Sequence, residues 1–346
     1  TIYWRDWSSD VCSSDLFALA RGRWLRLSYR VAVSERGRQC FDGITLRRSS
    51  PLRLWQMQER LAARDEVRVY PNFARIAHYT LLATDNRLSQ IGILQRRRRG
   101  QGMEFQQLRD YRQDDSPRAI DWKASSRVSR LISREYADER DQQILFLLDC
   151  SARMRARDGE LSHFDHTLNA LLLLAWVALR QGDAVGLATF GHARPRLLLP
   201  GKTVATVNTL MNAVYDLEPS LQVPDYLAAS ETLSRHLRKR ALVILVTNLR
   251  DEDDDTLLPA VRHLRRRHAV SVASLREPIL DEVLEAPVED FSAALLRAAG
   301  LDYLQARRRQ LALLRHGGVE ILDVSASELP VALINHYRAR KRAGTL

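Results

Sequence analysis

Gln143-Ile-Leu-Phe-Leu-Leu-Asp149-Cys150-Ser151 is the stretch on which the reading of this chain turns. Ile144–Leu148 is a continuous apolar run, the pattern of a strand buried on both faces. Runs of the same kind recur downstream at Ala184–Phe190, Ala241–Val246, Ala269–Leu275 and Val319–Val324. Phe164–Gln181 is apolar nearly all round and reads as a core helix. Thr203–Leu217, Asp225–Lys239, Thr256–His268, Phe291–His316 and Ser327–Arg342 also read as helices. Strand and helix alternate at βαβ spacing, so residues 141–346 are expected to form a doubly wound, Rossmann-like α/β domain with helices on both faces of a parallel sheet.

Upstream the period changes. Trp24, Leu25, Leu27, Tyr29, Val31 and Val33 alternate roughly by two; Phe41, Ile44 and Leu46 follow, then Leu52, Leu54 and Trp55, then Val67, Val69 and Tyr70. Short β-rich runs broken by Gly and Pro argue for a small β-sandwich-like domain over 17–75. Arg75–Ile93 reads as a helix or a connector, and 76–140 as the link between an N-terminal β domain and the α/β domain, an α+β two-domain chain. Residues 1–16, TIYWRDWSSDVCSSDL, have neither periodicity nor a signal-peptide pattern. They resemble a translated sequencing-adapter artefact, so the native N-terminus is expected to be missing.

Composition bounds the function. The 346 residues suggest roughly two domains. With 45% apolar and 27% charged residues, the chain is not wholly disordered. Three widely spaced cysteines exclude a disulfide framework or zinc ribbon and fit a reducing compartment. The longest apolar run, Ala170–Leu179, is far short of the about 20 residues of a membrane span. The charge of +11 permits nucleic acid as a partner. But the cations are interleaved with acids; only Arg96–Arg99, Arg265–Arg267 and Arg307–Arg309 form runs, and solvated faces are the simpler reading.

Nucleotide and hydrolase motifs fail. A phosphate loop ending at Gly201-Lys202-Thr203 needs glycine where Arg196 stands, and neither GxGxxG nor GxSxG occurs. His163 and His166 lack further zinc ligands and read as exposed or capping residues. Asp149 beside Cys150 raises rather than lowers the thiol pKa, which argues against a nucleophile.

Ligands of open α/β sheets bind at the carboxyl ends of strands. There Asp149, with Ser151 two residues on, suits a hard cation. The element resembles the von Willebrand factor A domain, whose adhesion site implies DxSxS, a Thr from a later loop and an Asp after a central strand. This chain departs from that pattern: Arg153 replaces the second Ser, Pro224-Asp225 stands at the Thr-bearing loop, and Asn248 follows ALVILV. The expectation is a degenerate site of Asp149, Ser151, Arg153, Asp225 and Asn248 with no functional metal, Arg153 supplying the charge. Weak binding of Mg or Mn at Asp149 and Ser151, or at a site relocated to Asp251–Asp255, is the other reading; the latter run also suits a helix N-terminus.

A longer signature precedes this strand. Glu104-Phe105, Leu108-Arg109, Tyr111, Asp115, Arg118, Ile120-Asp121-Trp122-Lys123-Ala124-Ser125 and Arg127 resemble the motif of the domain of unknown function 58 family, with Asp114 for the usual Gly and Ser126 for the usual Ala. Tyr111, Asp115, Arg118, Asp121, Trp122, Lys123 and Arg127 read either as an interdomain clasp or as a docking surface. The resemblance implies a membrane-anchored protein, with an N-terminal transmembrane hairpin, whose soluble domains face the cytoplasm and work with a MoxR-type AAA+ ATPase. It implies no reaction. The expected function is a non-catalytic adaptor. The alternatives are a metal-dependent hydrolase or nuclease, and nucleic-acid binding through the Arg runs.

Overall fold

The computed structural model describes residues 2–3, 33, 35–50, 52, 54–72, 104–112, 120–137, 142–203, 205–250 and 254–344. The chain divides into two compact units, Thr1–Pro71 with Val214–Leu217, and Asn72–Ala213 with Glu218–Leu346.

The first unit is built of antiparallel strands: β1 (Ile2–Tyr3), β2 (Gly37–Phe41), β3 (Ile44–Ser49), β4 (Gln56–Leu61) and β5 (Asp65–Val69). β2 pairs with β5, and a separate sheet runs β1-β3-β4. Leu52, Leu54 and Trp55, expected in a strand, instead lie in the β3–β4 connection and are 78%, 78% and 60% exposed. The backbone turns over Ser50, whose Oγ accepts hydrogen bonds from the N–H groups of Leu54 (3.0 Å) and Trp55 (3.3 Å). A hydroxyl competing for backbone donors thus overrides the apolar alternation. The expected strand over 24–33, apart from Val33, and the Arg75–Ile93 segment lie outside the described residues, and Val33 itself is in no strand.

Among the described residues, the first elements of the second unit are an antiparallel pair, β6 (Glu104–Asp110) and β7 (Ile132–Ala137), with the short helix α1 (Trp122–Val128) between them in sequence. Then come β8 (Gln143–Asp149), the small strands β9 (Arg157–Asp158) and β10 (Leu161–Ser162), and α2 (His163–Arg180). β11 (Ala184–Phe190), β12 (Leu197–Gly201), α3 (Ala205–Val214), α4 (Tyr226–His236) and β13 (Leu242–Thr247) follow. The chain closes with α5 (Asp254–Arg265), β14 (Ala269–Arg276), α6 (Ile279–Glu285), α7 (Phe291–His316), β15 (Glu320–Ser325) and α8 (Leu329–Ala343).

The five expected α/β strands and a sixth, β12, form one sheet in the order β12-β11-β8-β13-β14-β15, parallel except for β12. β12 was not expected. It contains Pro200 and occupies the edge, where a residue without an N–H is tolerated. Period-two alternation sorts the side chains: Leu145, Leu147, Val243, Leu245, Val270 and Val272 share one core with residues of α4, α5 and α7. α2 packs with α8. α2 starts on a reciprocal cap, in which Ser162 Oγ accepts from Asp165 N–H and Asp165 accepts from Ser162 N–H. Among the described residues no helix is long and apolar enough to cross a membrane.

Candidate functional site

β8 is the first strand of the sheet. The chain next builds β11 on one side of it and β13 on the other, so the order reverses at β8 and opens a crevice at its carboxyl end. Asp149 closes β8 there and is fully buried. One carboxylate oxygen accepts from the N–H of Ser151 at 2.8 Å, the other from the hydroxyl of Thr247, the last residue of β13, at 2.6 Å. Burial pushes the Asp149 pKa up, and the Thr247 and Ser151 bonds and the Arg153 charge pull it down. Thr247 Oγ1 also lies 3.0 Å from the hydroxyl of Tyr226, whose ring packs against Phe190 with centroids 5.2 Å apart.

Arg153 follows in a 3₁₀ turn, Ala152–Arg155, and is 7% exposed. Its Nη1 donates to Tyr226 Oη at 3.3 Å and to the carbonyl of Asn248 at 3.1 Å. Asp149, Thr247, Tyr226, Arg153 and Asn248 are therefore one buried network. Gly191 closes over it with φ +68°: a Cβ there would lie 3.1 Å from Ser151 N and 3.2 Å from Asp149 Oδ1. Ser220 N–H donates to the Cys150 carbonyl at 2.7 Å and holds the neighbouring loop, on which Leu221 and Val223 are 78% and 82% exposed.

Four of the five expected adhesion-site residues meet here. Asp225 does not: it is exposed and caps α4, accepting from Ala228 N–H at 2.9 Å. The next residue, Tyr226, enters the network in its place. Asn248 contributes its carbonyl; its side chain points the other way, donating to Glu277 at 2.6 Å and accepting from Arg307 at 3.3 Å.

Arg307 corrects a second expectation. Within a run read as a solvated face or nucleic-acid contact, it is 3% exposed. It donates to the carbonyls of Leu249 and Leu275 (2.9 Å each), to Ser274 Oγ (2.6 Å) and to Asp323 Oδ1 (2.7 Å). Arg308 and Arg309 are exposed. His163, expected at the surface, is also fully buried, and its ring nitrogens have no hydrogen-bond partner. Burial lowers its pKa, against the opposing charges of Glu277 and Asp158. Thr247, Tyr226, Glu277 and Arg307 had no motif to betray them. The only signals were their positions: Thr247 ends the ALVILV strand and Tyr226 follows a capping Asp.

The donor set decides whether a divalent cation of the adhesion-site kind fits. Ser151 Oγ is buried without a hydrogen bond, as a metal ligand would be. Against it, both Asp149 oxygens already accept bonds, a guanidinium stands at the third ligand's position, and Asp225 is spent on a cap. Among the described residues no three His, Cys, Asp or Glu side chains come together. Hard cations take six or more oxygens, several of them charged, and these residues do not supply them. Of the acidic run, Asp251–Asp253 lie outside the described residues and α5 begins at Asp254.

The signature residues lie elsewhere in this unit. Asp121 caps α1, its carboxylate accepting from Lys123 and Ala124 N–H at 3.0 Å each. Ser125, buried, donates to the Asp121 carbonyl at 2.7 Å and accepts from Ile132 N–H at 2.9 Å. Tyr111 is half-buried, and its N–H donates to the Leu131 carbonyl at 2.9 Å. Trp122 is 68% exposed, and Lys123 and Arg127 are exposed beside it. Asp115 and Arg118 lie outside the described residues.

A curated relative, the uncharacterized protein YeaD of Bacillus subtilis, is 23% identical over 179 residues, 50% of this chain and 41% of the relative, so the chain spans about two fifths of the relative it matches. The SpRpn10 von Willebrand A domain covers 56% of this chain and 94% of its own, with 13% identity and a TM-score of 0.36. The conserved hypothetical protein BatB from Bacteroides thetaiotaomicron covers 58% and 99%, with 15% identity and a TM-score of 0.36. The family model "Protein of unknown function DUF58" matches residues 107–312, more than half of the chain. The chain therefore belongs to the DUF58 family.

Proposed function

We propose that this chain is a non-catalytic adaptor that binds a partner protein at the carboxyl edge of its sheet, around Asp149, Ser151, Arg153 and Asn248, without a bridging cation. The observation that carries this is Arg153. Its buried guanidinium, bonded to Tyr226 and to the Asn248 carbonyl, brings positive charge beside Asp149 where the related adhesion pattern has a metal-ligand serine. Exposed Leu221 and Val223 beside a polar centre also suit recognition of a protein surface, where apolar contacts surround a few specific polar ones.

The family resemblance supports the finer parts of the reading: a MoxR-type AAA+ ATPase as the partner, and a membrane anchor on the full-length protein with these domains facing the cytoplasm. Co-purification with a MoxR-type ATPase of the same organism tests the partnership. Binding lost in Arg153→Glu but kept in a distant surface variant supports the edge; a complex unaffected by any change there refutes it. One observation favours a metal reading, the unbonded Ser151 hydroxyl. Calorimetric titration of Mg and Mn separates the two. Saturable binding lost in Asp149→Ala restores the cation and with it metal-dependent hydrolysis, whereas none up to millimolar metal leaves Arg153 in its place.

A further inference from the structure

The α6–α7 hairpin carries features that the adhesion edge does not explain. α7 leads into β15, which is parallel to β14, so α7 runs antiparallel to the strands and its first residues stand beyond their carboxyl ends. Arg307 marks the level of that edge, because it bonds the carbonyls of Leu249 and Leu275, just past or at the ends of β13 and β14. Residues 291–306 precede it. At about 1.5 Å per residue they rise about 24 Å past the sheet. Gly300 lets α6 close on this stalk, with Leu284 and Val283 at 3.7 and 3.9 Å from the position of a Cβ.

Away from α6 the stalk exposes apolar side chains. Phe291, Leu295, Leu296 and Leu301 are 83%, 61%, 57% and 55% exposed. It is also acidic: residues 279–305 hold six carboxylates against the single cation Arg297, a net of −5 in a chain of +11. Among the described residues Glu282, Glu285, Glu289 and Asp302 form no ion pair. An exposed apolar surface of this kind marks an interaction site, and its charge selects a basic partner.

The complement is on the same chain. At about 100° per residue, Trp122, Ser126, Lys123 and Arg127 fall within an arc of about 140° on α1, and all four are exposed whereas Ser125 is buried. Among the described residues no acid pairs with Lys123 or Arg127. The helix is pinned by Asp121 and Ser125, so an exposed Trp is presented on a fixed platform beside two cations. Trp122 and Phe291 are both exposed, so the two surfaces are not docked within one chain.

We propose that the acidic stalk of one copy docks on the Trp122–Lys123–Arg127 face of a second copy. Such a contact is head-to-tail and gives rings or open chains rather than a closed two-fold dimer. Sedimentation velocity on the full chain tests it, from about 1 to 100 µM at low and high salt. The wild type is expected to associate with concentration, and less so in high salt. Glu285→Lys with Glu289→Lys, and separately Lys123→Glu with Arg127→Glu, are each expected to weaken association at least about tenfold; mixing these two variants restores it, because the reversed charges again meet. Thermal melts of each variant confirm that it is folded. Arg153→Glu is expected to leave association unchanged, which separates this contact from the adhesion edge. A wild type that stays monomeric overturns the proposal, and so does association that both reversals leave intact.

Discussion

Replacing Arg307 by Met tests the reading of the carboxyl edge most sharply. The guanidinium holds together the ends of three strands: the Leu249 carbonyl after β13, Ser274 and the Leu275 carbonyl on β14, and Asp323 on β15. Met fills much of the same volume but bonds none of them. Removing one partner of a buried charged pair costs about 3–5 kcal/mol, since the remaining groups stay desolvated. Asp323 is 27% exposed and recovers some hydration, which places the expected loss near the lower end, about 3 kcal/mol. With a urea m-value of about 2 kcal/mol/M, the midpoint falls by about 1.5 M. Arg308→Met, one residue along on an exposed face, is the control and is expected to stay within about 0.5 kcal/mol. Urea titrations followed by far-ultraviolet circular dichroism measure both. Equal shifts for the two variants would falsify the argument, because they would mean that the run behaves as a uniform solvated face.

Three further outcomes follow from the same geometry. The lowered pKa of buried His163 means that the unfolded chain binds the proton more readily; its contribution is therefore complete above pH 6.5 and is lost as pH falls below it, a dependence that His163→Phe should flatten in urea titrations at pH 7.5 and 5.5. Lys341→Met strands the fully buried Asp183 carboxylate, whose other contact is the Tyr337 hydroxyl, and should cost about 3 kcal/mol; a thermal midpoint unchanged from wild type would show that the α8 latch is not made. Gly191→Val forces a β-branched residue to a φ of +68° and drives its Cβ against Ser151 and Asp149; it should both destabilise the fold and abolish partner binding, and full affinity in this variant would argue against the edge as the binding surface.

The alternation of apolar runs and amphipathic segments from Gln143 onward was enough to read a doubly wound sheet, because buried parallel strands must be continuously apolar and their crossovers must be helical. Asp149 and Ser151 were legible for the same reason, as polar residues ending the first such strand at the edge where ligands bind. The family signature was legible from its length. Local patterning was insufficient where a single backbone decision intervened: Ser50 turned Leu52–Trp55 out of a strand, and an edge position admitted Pro200 into β12.

The rest depended on what the fold brings together. Nothing near Arg307 distinguishes it from Arg308 and Arg309, yet helix rotation buries one and exposes its neighbours. Nothing at Asp225-Tyr226 says that the carboxylate caps a helix while the phenol reaches Thr247. Sequence determined the order and type of the elements, since apolar periodicity is a local property of consecutive residues. Only the tertiary structure decided which polar side chains lose water and meet one another, because burial and partnership depend on strand order and helix rotation between segments as far apart as Asp149 and Arg307.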